Sequence, residues 1–101
     1  MVYHRKGEEQ ILPTTSIGFT AAQLTSYVAY ASVKVLSNVT YTKDVFVRLS
    51  SDAASTTGAN GEHQFFPGES FEVWGDHDLR NFRAIQSASA AALQVTYFGT
   101  D

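Results

Sequence analysis

The sequence predicts an all-β fold, a single antiparallel β-sandwich or jelly roll, with one short helix near residues 20–25. Apolar and polar residues alternate with a period of two in Lys43–Ser50, Phe71–Trp74 and Leu93–Phe98, as strands with two different faces require. Turn signals separate the strand-like runs at intervals of roughly ten residues, the spacing of a sandwich. No stretch is long enough and helical enough in pattern for a crossover helix, which argues against a parallel sheet. At 101 residues the chain has room for one domain and needs no disulfide or metal to fold.

Taken in order, residues 1–10 are polar, contain Gly7-Glu8-Glu9 and show no periodicity, so they read as a flexible N-terminal arm ahead of one domain over 11–101. Ile11-Leu12-Pro13 begins the apolar material, and Ile17 and Phe19 mark a short strand. In Thr20–Ala31 two readings compete: a short helix capped by Thr20 and running through Leu24, and a strand from Tyr27. Val33 and Val35 predict a strand near 31–37, and Val45, Val47 and Leu49 place one face of the next strand in the core. Residues 51–61 form a loop by composition and end on Asn60-Gly61, a dipeptide suited to a type I′ turn. Pro67-Gly68 is the strongest turn signal, since proline presets φ and glycine accepts a positive one. Beyond it, Phe71 and Val73 face inward. Gly75-Asp76-His77-Asp78 reads as a polar turn, and Ile85 and then Leu93, Val95 and Tyr97 complete the expected core with Phe19.

Composition narrows the function classes. A net charge of −3 with scattered basic residues gives no stripe for nucleic acid. No cysteine is present, which excludes thiolate metal sites and cysteine nucleophiles. No run approaches the roughly 18 apolar residues of a membrane span, and the first ten residues lack the apolar core of a signal peptide, so the chain is expected to be made in the cytoplasm. Asn38-Val39-Thr40 then matches the glycosylation sequon by chance. With 17% charged residues, the surface is built largely of Ser, Thr, Asn, Gln and Ala, which suits a protein lodged against other protein.

Candidate chemistry does not converge. Asp76-His77-Asp78, with His63 and Glu62, offers metal-ligand types, but neighbouring side chains point apart, and His4, His63 and His77 provide no HxH pair of the cupin kind. Ser70 is not on a G-x-S-x-G elbow, and Glu69 and Glu72 fall on opposite faces of a strand. Gly58 and Gly61 lack the lysine of a phosphate loop. The expectation is no catalytic residue, no cofactor and no metal. What stands out is aromatic: Phe46, Trp74 and Phe98 lie opposite the core residues of their strands, and Tyr27, Tyr30 and Tyr41 lie on segments whose inward face the pattern leaves open. Two readings stay open, an exposed contact patch or rings covered by a second core layer or the arm.

The succession Asp44–Ser50 (DVFVRLS), Phe65–Gly75 (FFPGESFEVWG), Asn81–Ile85 (NFRAI) and Ala92–Gly99 (ALQVTYFG) resembles the small all-β virion structural proteins of tailed bacteriophages, of capsid decoration, head fibre or tail-associated type. It covers about residues 43–99. The resemblance implies a non-enzymatic protein, homo-oligomeric, found in the virion, that binds capsid or tail subunits and neither nucleic acid nor membrane. Phe46, Trp74 and Phe98 would then bury apolar area against a partner, and residues 1–12, with Tyr3, Arg5, Ile11 and Leu12, would reach a neighbouring subunit. Asn60, Gly61, Pro67 and Gly68 would be structural turns. The alternative is a carbohydrate- or receptor-binding module in which Trp74 and tyrosines stack on sugar rings.

Overall fold

The alternation of Leu93–Gly99 organises the molecule. The computed structural model describes residues 2–25, 27–50, 54, 56 and 61–100. Their strands are β1 (His4–Ile11), β2 (Val28–Val35), β3 (Val45–Leu49), β4 (His63–Phe65), β5 (Ser70–Trp74), β6 (Phe82–Gln86) and β7 (Leu93–Gly99), with one short helix α1 (Asp76–Asn81). They form two antiparallel sheets, ordered β1-β7-β2-β5 and β4-β3-β6, packed as a sandwich. Because β7 is paired on both sides, its residues must face either the interior or the outside. Leu93, Val95 and Tyr97 are fully buried, while Gln94, Thr96 and Phe98 face outward.

Aromatic rings join the two sheets. Phe65 of β4 stacks on Phe71 of β5 at 4.1 Å between centroids, and Phe71 lies 6.2 Å from Phe82 of β6. Phe82 stacks on Phe19 at 4.1 Å, and Phe19 meets Tyr97 edge-on at 5.6 Å. Tyr97 has no exposed surface, so its hydroxyl needs a partner inside the protein. That partner is Glu9 of β1, whose carboxylate also accepts the N–H and hydroxyl of Thr20. Burial and the neighbouring carboxylate together push the Tyr97 phenol well above its ordinary range. A second carboxylate, Asp44, ties β3 to its neighbours by accepting bonds from Ser87 and Gln64. Burial acts to raise its pKa, but these hydrogen bonds outweigh burial and hold it below the ordinary value.

Several expectations are corrected. Residues 4–11 are not an arm but β1, an edge strand of the four-stranded sheet. Its inward positions are Gly7, Glu9 and Ile11, of which only the last is apolar, so the period of two is invisible to a hydrophobic count. Ile11 itself belongs to the core at 4% exposure. Leu49, the last residue of β3, is 46% exposed, where the alternation placed it in the core. Ile85 faces outward because β6 turns Phe82 and Ala84 inward, and a small alanine at the buried position hides the alternation. Residues 76–78 are not a turn but the start of α1, with Asp76 and Asp78 in its first turn, Arg80 in its last, and Leu79 buried beneath it.

The short strand expected at Ile17 and Phe19 is only an isolated bridge from Ile17 to Ala84, and Thr20 makes no side-chain cap because its hydroxyl donates to Glu9. Near residues 20–25 lies a single 3-10 turn, Ala21–Gln23, and β2 follows from Val28. The Pro67-Gly68 turn closes with Glu69 N–H donating to Phe66 O at 3.0 Å, and Gly68 takes φ +92°. Gly61 has φ +83°, whereas Asn60 lies outside the described residues. No helix among the described residues is long and apolar enough to cross a membrane.

Two outcomes test this framework. The raised Tyr97 pKa stabilises the fold fully below the unfolded phenol value of about 10, and that contribution is lost as pH rises above it. Urea melts are therefore expected to weaken above that pH, and Tyr97→Phe is expected to flatten this dependence at a cost of about 1 to 2 kcal/mol at neutral pH. Gly68→Ala, which forces a Cβ into positive φ, is expected to cost about 1 kcal/mol by the same melts.

Candidate functional site

The outer face of the four-stranded sheet gathers the rings that the alternation leaves out of the core. Since β2 turns Ala31, Val33 and Val35 inward, Tyr30 faces out. Tyr30 is the cross-strand partner of Trp74 on β5 and of Phe98 on β7, and Phe98 is the partner of Arg5 on β1. One row thus crosses the whole sheet, Arg5–Phe98–Tyr30–Trp74. Tyr30 stacks on Trp74 at 4.1 Å with planes 16° apart, and on Phe98 at 4.9 Å with planes 12° apart. Tyr3 stands perpendicular to both Tyr30 and Trp74 at 5.7 Å.

These distances match the spacing of neighbouring strands, about 4.8 Å, so the three rings stand upright on the sheet with their faces against one another. What they show to the outside is ring edges, which carry the positive end of the aromatic quadrupole. Two faces are uncovered by another ring of the row, that of Phe98 on the β1 side, where Arg5 is its cross-strand partner, and that of Trp74 on the β5 side. The Trp74 indole N–H donates to the Glu72 carboxylate at 3.1 Å, which holds the ring in place. Trp74 is 48% exposed and Tyr3 39%. Beside the row, the Lys6 ammonium lies 5.8 Å from the ring centre of Tyr27.

Of the residues singled out from the sequence, Trp74, Phe98, Tyr3 and Arg5 come together here. Phe46 does not: it is on the outer face of the other sheet, opposite Gln64 and Ile85. Ile11 is interior, and exposed Leu12 lies past the far end of β1 from Arg5. Tyr30, the centre of the stack, was the residue whose side of the sheet sequence reasoning left undecided. The signal that places it is the inward parity of Ala31, Val33 and Val35, which needs the start of β2 to be known.

The acidic candidates have structural partners. Asp76 pairs with Arg80 at 2.8 Å, and Glu69 accepts the Phe66 N–H across the Pro67-Gly68 turn. His77 is beside Asp78 at 3.4 Å on the open surface of α1. Among the described residues no group of three His, Cys, Asp or Glu side chains could hold a metal ion. A groove of about 550 Å³ runs between residues 16–21 and the Arg80 and Arg83 side chains. Its guanidinium groups already donate to main-chain carbonyls, Arg80 to Leu24 and Arg83 to Arg80 and Phe82. Compared with known proteins, the sequence matches no family model and no curated protein.

Because Trp74 is half exposed, its removal should spare the fold. Trp74→Ala is expected to lower stability by about 1 to 3 kcal/mol, the worth of its two aromatic pairs with Tyr30 and Tyr3, as read by circular dichroism melts. Trp74 is the one tryptophan of the chain, so its fluorescence in the native protein reports this face directly. Tyr3→Ala is expected to shift the emission to longer wavelength as water reaches the indole.

Proposed function

We propose that this protein is a non-enzymatic structural subunit of a bacteriophage virion that adheres to capsid or tail subunits through the outer face of its four-stranded sheet. The observation that carries the reading is the aromatic row Phe98–Tyr30–Trp74 on the outer face of the sheet, braced by Tyr3, with Trp74 half exposed at its end. A cluster of aromatic residues flanked by arginine is the composition of a protein-contact hot spot. The similarity of residues 43–99 to small all-β virion proteins supplies the setting, and the charge-poor surface agrees with it.

Sugar binding is the weaker reading. A pyranose stacks on the flat face of an indole or phenol ring, and in this row the only flat faces free of other rings are those at its two ends, Phe98 beside Arg5 and Trp74 beside the open edge of β5. Upright rings instead suit carbonyl oxygens, carboxylates and other ring edges, which a protein surface provides.

The test is adhesion to particles. Purified chain is expected to co-sediment with virions or virion precursors, and Trp74→Ala and Tyr30→Ala are each expected to weaken that binding by about 2 kcal/mol or more, as a hot-spot truncation does. Ile85→Ala, on the opposite sheet, is expected to leave it unchanged. Binding of the native protein to a glycan array, with no binding to particles, would reverse the choice between the two readings.

A further inference from the structure

The two outermost strands of the four-stranded sheet, β1 and β5, are unpaired on their outer sides among the described residues. We infer that they pair with each other between copies, so that β1 of a second copy extends the sheet beyond β5. This deepens, and rests on, the reading of the protein as an assembly subunit.

Four observations support a second copy as the occupant. The first is direction: with four antiparallel strands, β1 and β5 run opposite ways. A copy rotated about an axis along the strands therefore brings its β1 antiparallel to β5. The second is the main chain. Gly75 N–H donates to Ala29 O at 3.0 Å and Val35 N–H to Glu69 O at 2.9 Å, so the odd-numbered residues of β5 bond to β2. By antiparallel alternation Ser70, Glu72 and Trp74 turn their N–H and C=O groups to the open edge. On β7, Leu36 N–H donates to Ala92 O, which assigns its even-numbered residues to β2 and its odd-numbered ones to β1. The register then leaves Arg5, Glu8 and Gln10 presenting their main-chain groups outward from β1.

The third observation is charge. The open edge of β5 carries Glu72 with Glu69 just before it, and β1 starts with His4-Arg5-Lys6. The fourth is the end of the aromatic row, where Trp74 has an uncovered ring face of the kind on which a guanidinium stacks. The register follows from these. Placing Arg5 of the second copy opposite Trp74 would set Glu8 opposite Glu72, a like-charge pair that destabilises a sheet. A shift of two residues puts Arg5 opposite Glu72, diagonal to the Trp74 face, and Glu8 opposite Ser70. The present Arg5–Glu8 contact at 3.4 Å is between well-exposed groups and opposes this little. Such a contact is heterologous, so it closes into a ring or continues as a filament.

The absence of cysteine makes the test clean. Within one copy Arg5 and Glu72 lie on strands three spacings apart, about 14 Å, too far for a disulfide. Arg5→Cys/Glu72→Cys is therefore expected to give covalent dimers and higher species on mild oxidation, at least about tenfold faster than Arg5→Cys/Lys34→Cys, through the effective concentration of paired edges. In light scattering, Arg5→Glu and Glu72→Arg are each expected to be monomeric alone and to associate when mixed, since the mixture restores opposite charges at every edge. Melts of these exposed-site variants check that they fold. Equal cross-linking rates for the two cysteine pairs, or no association on mixing, would overturn the proposal. A native chain that stays monomeric yet binds particles through Trp74 would do the same while leaving the assembly reading standing. A chain that self-associates by these edges but binds no particle upholds the edge pairing alone.

Discussion

The hydrogen bond from the Tyr97 hydroxyl to the Glu9 carboxylate is the contact on which the arrangement depends. A phenol with no exposed surface must find an acceptor inside the protein, because leaving the hydroxyl unpaired would cost on the order of 1 to 3 kcal/mol. Glu9 can serve only if β1 lies alongside β7 with its glutamate turned inward. The same carboxylate then takes the N–H and hydroxyl of Thr20, which anchors the segment carrying Phe19 against Phe82. One buried polar group thus places an edge strand, a connecting segment and part of the ring stack between the sheets.

The outer face follows from that placement. With β1 in register on β7, Arg5 stands beside Phe98, and the residue before the strand, Tyr3, crosses over Tyr30 and Trp74. The rings stand upright because cross-strand partners sit closer together than rings lying flat could, and stacking is the arrangement that strand spacing allows. The face is thereby rigid, apolar and poor in flat ring surface. Such properties suit adhesion to protein, and Trp74 stays half exposed at the end of the row.

Both edges of the four-stranded sheet carry charged residues. Charges on an edge deter indiscriminate strand pairing, and Arg5, Lys6 and Glu8 on β1, with Glu72 on β5, do so here. In the register inferred above, the basic start of β1 meets Glu72 of β5, and Glu8 falls opposite the neutral Ser70. With an even number of antiparallel strands, β1 and β5 run opposite ways, so the edge pairing inferred above would be antiparallel.

Local pattern was enough for much of this protein. Alternation in Val45–Leu49 and Leu93–Gly99 specified strands and most of their buried faces, and Pro67-Gly68 specified its turn, because these features depend on residues next to one another in the chain. The all-β class and the outward side of Trp74 and Phe98 were legible for the same reason. Tertiary structure decided what depends on residues far apart. β1 is a strand because Tyr97, 88 positions away, needs Glu9, and no hydrophobic count over His4–Ile11 contains that information. Ile85 faces outward because β6 turns Phe82 and Ala84 inward, and Phe46 is separated from Trp74 because their strands belong to different sheets. The row Arg5–Phe98–Tyr30–Trp74 draws one residue from each of four strands. Sequence could nominate its members; only the pairing of strands across the sheet could align them.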